Sequence, residues 1–369
     1  MIGALTRFVH KPSQSRVLFG AGSLTSLSEE LARLDINRPL IISTPGQHDL
    51  AERVAALVGP PAPGVYPHAR MHVPSQVAQA AVEYVRNHDV DGCVSVGGGS
   101  SVGLAKMVGL HTGLPIVAVP TTYAGSEMTS VWGLTTDGGK QTGRDERVLP
   151  RTVIYDLELS TSLTLELSVT SAVNALAHAV EAMYAPDTTP MVNLIAEASA
   201  GSLLEGVQGV AVDPEDPDAR ARLTYGAWLA GSCLEATTMS LHHKLCHILG
   251  GSFDLPHAWT HTVMLPYVMS FNLTPGSSAH TLLQAAFGVS DPAVGLLGRL
   301  ERVGYRRSLS DLGLPREAID YVIERAMAAP YANPHPVTAD DLRVILEGAY
   351  DGGRLPSRSP AAPPEPTSE

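Results

Sequence analysis

Val94-Ser95-Val96-Gly97-Gly98-Gly99-Ser100-Ser101 is a short β-branched run that passes through three glycines and a serine pair into a helical pattern containing Lys106. This is a strand, a turn and a helix. Glycines let the backbone approach a phosphate closely and adopt positive φ, and the free N–H groups at the start of the helix attract an anion. The spacing is not the GxGxxG of the usual dinucleotide fingerprint, and a bare strand-to-helix turn would also account for a lone glycine triplet. A second loop changes the balance: Pro120-Thr121-Thr122-Tyr123-Ala124-Gly125-Ser126-Glu127 follows the next strand. It sets hydroxyls and a glycine at the same end of the sheet, where open α/β sheets bind ligands.

Outward from this stretch, apolar runs at Leu40 to Ser43, Ile116 to Val119 and Val153 to Tyr155 read as further strands. Leu24 to Leu34, Val77 to Val85 and Val102 to Leu110 carry apolar residues at helical spacing. Alternation of this kind predicts a parallel sheet covered on both faces. After about Leu159 the strand signals fade. Helical patterns follow at Ser168 to Tyr184, Val192 to Leu204, Arg220 to Leu249, Asp291 to Leu300 and Ala339 to Tyr350. Gly250 and Gly251 should end the third of these, and a loop should follow around Pro256. The expected organisation is an α/β nucleotide-binding domain over residues 1–159, an all-α domain over 160–353, and a disordered Pro/Ser/Glu-rich tail over 354–369.

The chain has 369 residues, enough for two cores, and is 44% hydrophobic and 17% charged. There is no apolar run of bilayer length and no basic-then-apolar leader over Met1 to Leu18, so a cytoplasmic protein is expected. Net charge is −12 with the cations scattered, which argues against a nucleic-acid or membrane partner. Cys93, Cys233 and Cys246 are an odd, widely spaced set with no CxxC pair, which argues against a disulfide framework and a thiolate zinc site.

The helical half carries Asn174 and His178 four apart, then His242, His243 and His247, then His257 and His261. Spacing of four puts Asn174 beside His178, and His243 beside His247, on single helix faces. Imidazoles converging from two helices and a loop could hold a divalent metal, or orient and protonate a substrate oxygen without one. His242 and His261 rank below the others as exposed or structural residues.

Together, Gly97-Gly98-Gly99-Ser100, the loop from Pro120 to Ser126, and the spacing of Asn174, His178, His243 and His257 resemble the iron-containing (group III) alcohol dehydrogenase superfamily. The resemblance runs from about Arg16 to Tyr350. It implies a dinucleotide domain facing a helical domain, the fold shared with dehydroquinate synthase, a homodimer, and a metal held by an aspartate and three histidines. The matching positions here are Asn174, His178, His243 and His257, so an uncharged amide stands where the family has its aspartate. An amide brings no charge, so no bound metal is expected; those four would hold one if it were bound.

That departure, with Lys140 to Asp145, Val148 to Asp156 and the run His242-His243-Lys244-Leu245-Cys246-His247 leading to Leu255-Pro256-His257, resembles one branch, the maleylacetate reductases. The branch implies reduction of a small keto-diacid, maleylacetate, to 3-oxoadipate with NADH or NADPH, in the breakdown of aromatic rings. Hydride delivery leaves charge on an oxygen, so the site must supply a donor and a proton. The catalytic candidates are His243 and His257, then His178 and His247. Lys244 and then Arg144 are expected to hold the carboxylates, with Tyr123 and Asn174 beside the substrate. Gly97, Gly98, Gly99, Ser100, Thr121, Thr122, Ser126 and Thr44 are expected at the cofactor. The strand ending at Ser43 is followed by Thr44-Pro45-Gly46 with no acid to repel a 2′-phosphate, which predicts tolerance of both nicotinamide cofactors. The rival readings are a metal-dependent alcohol dehydrogenase, a reductase of another keto acid serving biosynthesis, a lyase on the related fold, and a silent nucleotide-binding protein.

Overall fold

Side chains alternating at period two give the first half of the chain a sheet with two buried faces. The computed structural model describes residues 8–10, 12–59, 64–136 and 139–356. Its strands are β1 (Arg16–Gly20), β2 (Pro39–Ile42), β3 (Val65–Tyr66), β4 (Gly92–Gly97), β5 (Ile116–Pro120), β6 (Val131–Thr136), β7 (Gly139–Arg144) and β8 (Thr152–Asp156). Six of them form a parallel sheet in the order β1-β8-β5-β4-β2-β3, and β6 and β7 make an antiparallel hairpin. Leu40, Ile42, Cys93 and Ile116 pack on one face, under α3 (Ser75–Asn87) and α4 (Gly99–Thr112). The other face turns Ile41, Val94, Val96, Val117 and Val119 toward α1 (Leu27–Arg33) and α2 (His48–Val58). Continuous burial explains why these strands read as near-unbroken apolar runs.

Chain order reverses at β2. That strand leads outward to β3 on one side, while β4 lies on its other side and leads on to β5. The carboxyl ends of β2 and β4 therefore flank the crevice in which such sheets bind ligands.

The second half is helical: α5 (Leu165–Tyr184), α6 (Pro190–Val212), α7 (Pro217–Ala236), α8 (Leu241–Phe253), α9 (His257–Asn272), α10 (Ser278–Phe287), α11 (Pro292–Arg302), α12 (Ala318–Met327) and α13 (Ala339–Asp351). One apolar core joins α5, α6, α7, α10 and α11; a second joins α8, α12 and α13; α9 contributes to both.

Here the sequence reading needs correction. The pattern from Arg220 to Leu249 is two helices, broken at Thr237 to Ser240. Two β-branched threonines weaken the helix there. The N–H groups of Ser240 and His242 donate to the carboxylate of Glu181, which starts α8 afresh. Gly250 and Gly251 do not stop α8, which ends at Asp254 in a left-handed conformation. The segment after Pro256 is α9 rather than a loop, and Pro266 lies within it. Of the expected tail, residues 354–356 are packed: Ser270 Oγ donates to the Pro356 carbonyl, and Leu355 lies against both helical cores. The remainder lies outside the described residues.

Among the contacts that tie the halves together, two are decisive for the site. Gly125, at φ 78°, brings the loop after β5 so close to α7 that a Cβ at Gly231 would sit 2.4 Å from the Gly125 oxygen. Arg144 on β7 donates to the carbonyls of Leu234, Glu235 and Thr237 at the end of α7. No described helix is long and apolar enough to cross a membrane.

Candidate active site

At the carboxyl end of β4 the backbone turns sharply. Gly97 has φ 132°, a conformation that strains any L side chain. Gly98 caps α4 without a side chain, and a Cβ there would lie 2.9 Å from Thr122. Gly99 opens the helix with nothing within 4 Å of its would-be Cβ. No acidic side chain occupies the first turn of this 14-residue helix, so the helix supplies no carboxylate of its own to compete for its N–H groups and positive end. Thr121 donates its N–H to the Gly97 oxygen, which places the second loop beside the first. The hydroxyls of Ser43, Ser101, Thr121 and Ser126 are buried without hydrogen-bond partners among the described residues. Thr44 starts the short helix after β2 and leaves its side chain uncommitted to a cap. Gly97 to Ser101, Thr121, Thr122 and Thr44 thus gather around the crevice where β2, β4 and β5 end. Orphaned hydroxyls and a bare helix start are what a dinucleotide's phosphates and riboses need.

Lys106, which follows the glycine loop on α4, takes no part in that crevice. Its ammonium donates to the oxygens of Ser126, Thr129 and Val131 and to the Thr129 hydroxyl. Burial pulls it down to about 7, against the pull of the Glu127 and Glu235 carboxylates. It fixes the loop that carries Ser126.

In the helical half, α5, α8 and α9 bring the histidines together. The rings of His178 and His243 stack at 4.9 Å, His261 lies 5.0 Å from His243, and His257 lies 4.3 Å from His261. Asn174, one turn before His178, is buried with its Oδ1 unpartnered, as are His178 Nδ1, His243 Nε2 and both ring nitrogens of His261. Burial, reinforced by the neighbouring imidazoles, holds His178 and His261 well below the usual histidine range. His242 is pushed down to about 4, chiefly by burial. These rings are neutral near pH 7.

The ranking made from sequence is revised. His242 and His261, expected to be exposed or structural, are 0% exposed and inside the cluster. His242 Nε2 lies 3.1 Å from the His261 carbonyl. His247, ranked among the catalytic residues, is exposed, its ring 6.0 Å from that of His243.

Glu181 was missed, although it continues the spacing of Asn174 and His178 by one more turn of α5. Its carboxylate is fully buried, with Oε2 2.7 Å from His243 Nδ1. Burial raises its pKa, but the hydrogen bond and charge of the His243 ring, with smaller help from the His242 ring and the Ser240 N–H, outweigh that and hold it below the usual carboxylate value.

Two proposed substrate contacts are absorbed by the fold. Arg144 spends its guanidinium on the carbonyls ending α7 and on Glu235, 3.1 Å away. Orphan carbonyls at a helix end favour a cation there. Tyr123 is buried in the helical core, its hydroxyl facing Arg220 at 3.5 Å. Lys244 places its ammonium 5.7 Å from the centre of the Tyr331 ring and has no ion pair among the described residues. Across from α8, His72 Nε2 lies 3.8 Å from Asp254.

The metal set implied by resemblance fits poorly. Among the described residues, the histidine, cysteine or carboxylate ligand atoms that come within 4.8 Å of one another are those of His242, His243 and His261, not of His178, His243 and His257. Neither group includes an anionic donor, since Asn174 is an amide and the Glu181 oxygens already accept N–H groups. Imidazoles alone can hold a first-row ion, but an amide in place of the aspartate removes the charge that would strengthen the site.

A model of the iron-containing alcohol dehydrogenases matches residues 14–157, and a model of the C-terminal part of the Fe-containing alcohol dehydrogenase family matches residues 168–350. A maleylacetate reductase of Pseudomonas sp. (strain P51) is 48% identical over 345 residues, covering 94% of this chain and 98% of the relative. The crystal structure of maleylacetate reductase from Rhizobium sp. strain MTP-10005 superposes with a TM-score of 0.90 at 43% identity, over 95% of this chain and all of that one. That of the Agrobacterium tumefaciens maleylacetate reductase gives 0.91 at 41% identity, with 95% and 100% covered.

Proposed function

The chain belongs to the iron-containing alcohol dehydrogenase family, as an oxidoreductase, and we propose that its reaction is the NAD(P)H-dependent reduction of maleylacetate to 3-oxoadipate. The observation that carries the reading is the buried cluster of His178, His243 and His261 with unpartnered nitrogens, in a chain 48% identical to a reductase of that name.

Because the ketone of maleylacetate survives in 3-oxoadipate, the bond reduced is the carbon–carbon double bond conjugated to it. When bound in the crevice at Gly97 to Ser101, NAD(P)H supplies the hydride to the carbon β to the ketone. Charge then passes to the ketone oxygen as an enolate; the proton given to that oxygen by Nε2–H of a doubly protonated His243 makes the enol, which tautomerises to place a proton on the α carbon and complete the product. His243 Nε2, buried and unpartnered, is the donor to that oxygen, with His178 stacked beside it and His257 and His261 closing the other side. A well-placed proton donor contributes about 10²–10⁴-fold in rate. No step requires a metal. Lys244, without a carboxylate partner among the described residues, is the cation for one substrate carboxylate; Arg144 and Tyr123 are not part of the site.

The turn after Ser43 presents Thr44 and no acid, which supports use of both NADH and NADPH. A cytoplasmic homodimer belongs to the same reading. β1 is an edge strand of the sheet, and Phe19 on it and Tyr225 on α7 expose aromatic surface beside one another; light scattering of the purified protein tests the dimer.

The decisive experiment is oxidation of NADH by EDTA-treated protein with maleylacetate, beside simple aldehydes, with and without Fe²⁺ or Zn²⁺. Metal-independent turnover of maleylacetate alone is expected. Aldehyde reduction that appears only with metal would overturn the reading.

A further inference from the structure

Glu181 sits at the base of the histidine cluster and is fully buried. Each of its carboxylate oxygens is occupied: Oε1 accepts the N–H of His242, and Oε2 accepts the N–H of Ser240 and lies 2.7 Å from Nδ1 of His243. An ionised carboxylate can only accept, so the nitrogen of His243 facing it must carry a proton. The other nitrogen, Nε2, is buried and meets no protein partner among the described residues.

We propose that Glu181 is a positioning residue for the reduction: it accepts from Nδ1–H of His243, fixes the ring plane and pairs with the ring in its doubly protonated form, so that Nε2–H is the donor turned to the substrate oxygen. This rests on the reading of His243 as the donor to that oxygen. The same carboxylate receives the first N–H groups of α8, so the backbone that carries His243 and the ring itself are set by one group. Ring and backbone cannot shift independently. A carboxylate behind such a ring stabilises the cation before the proton leaves Nε2 and keeps the remaining proton on Nδ1 afterwards.

The test is a double-mutant cycle of Glu181→Gln and His243→Ala, with NADH and maleylacetate. Glu181→Gln alone should lower kcat by roughly 10- to 100-fold, the range seen when the partner that orients a site histidine is lost, and leave KM for NADH unchanged. In the His243→Ala background it should cause no further loss, because the residue it acts through is gone. A full, additive loss in that background would mean that Glu181 only supports the fold and would overturn the proposal. Should Glu181→Gln fail to fold, ¹⁵N NMR of the unsubstituted enzyme labelled at histidine decides, with the His243 signals identified by their absence in His243→Ala. A proton on Nδ1 supports the proposal, and a bare Nδ1 overturns it. Unchanged turnover in His243→Ala alone would sink the reading of the site, whereas the NMR result would still judge Glu181.

Discussion

The rings of His178 and His243 lie 4.9 Å apart with their planes inclined by 29°, although one projects from α5 and the other from α8. Two helices separated by more than fifty residues of sequence thus present their imidazoles as a pair. Replacing His243 by alanine should lower kcat by about 10²–10⁴-fold. The dissociation constant for NADH, measured by fluorescence, should stay the same, because His243 stands on α8 and the glycine loop follows β4. Equal losses in both quantities would place His243 at the cofactor instead.

Stability should fall in mild acid, and the sign follows from the buried histidines. His178, His242 and His261 have folded pKa values below their unfolded ones, so the unfolded chain binds protons first as pH falls. Their contribution is complete above about 6.5 and is lost below it. For His242 the window runs from 6.5 to about 4, a difference of about 2.5 units. That corresponds to about 3 kcal/mol at most. Urea midpoints at pH 7 and pH 4.5 check this; equal midpoints would mean that the cluster protonates without cost.

Glycines 98 and 99 are adjacent yet should respond differently to alanine. A methyl at Gly98 would press on Thr122 at 2.9 Å, whereas one at Gly99 meets nothing within 4 Å. Gly98→Ala should therefore disturb the junction of the two loops and raise KM for NADH about tenfold, the effect of losing roughly 1.4 kcal/mol of binding. Gly99→Ala projects into the space a pyrophosphate would enter, so it should weaken NADH binding while leaving the melting temperature unchanged. Unaltered KM in both variants would move the cofactor away from this turn.

Arg144 and Lys244 separate a structural cation from a binding one. Arg144→Ala leaves the carbonyls at the end of α7 without their donors and should cost about 1–3 kcal/mol of stability. Lys244→Ala should raise KM for maleylacetate and barely change thermal stability, since the ammonium's contact is one ring face at 5.7 Å. The opposite pattern, read from melting curves and steady-state kinetics, would exchange their roles.

The sheet was legible because its signal is local. The short apolar runs Leu40 to Ser43 and Val94 to Val96 follow only from both faces being covered, and the strands sit where those runs fall. The break between α7 and α8 was not legible, since the group that starts α8 is Glu181, about sixty residues earlier. The loop expected around Pro256 hid α9 for a related reason: tertiary packing of Val263, Met264 and Val268 holds the helix even with Pro266 inside it. Arg144 shows the limit for charged residues. Spacing reveals that a cation is near a motif, but whether its donors are already engaged depends on where α7 happens to end.

Backbone meets backbone where Gly125 touches α7, and the absence of a side chain at Gly231 is a condition of that approach. The two positions lie in different halves of the chain and must be inherited together. A chimera that takes its sheet from this protein and its helices from a relative will assemble only when both partners are small at these sites, so shuffling experiments should place their crossover with that pair intact.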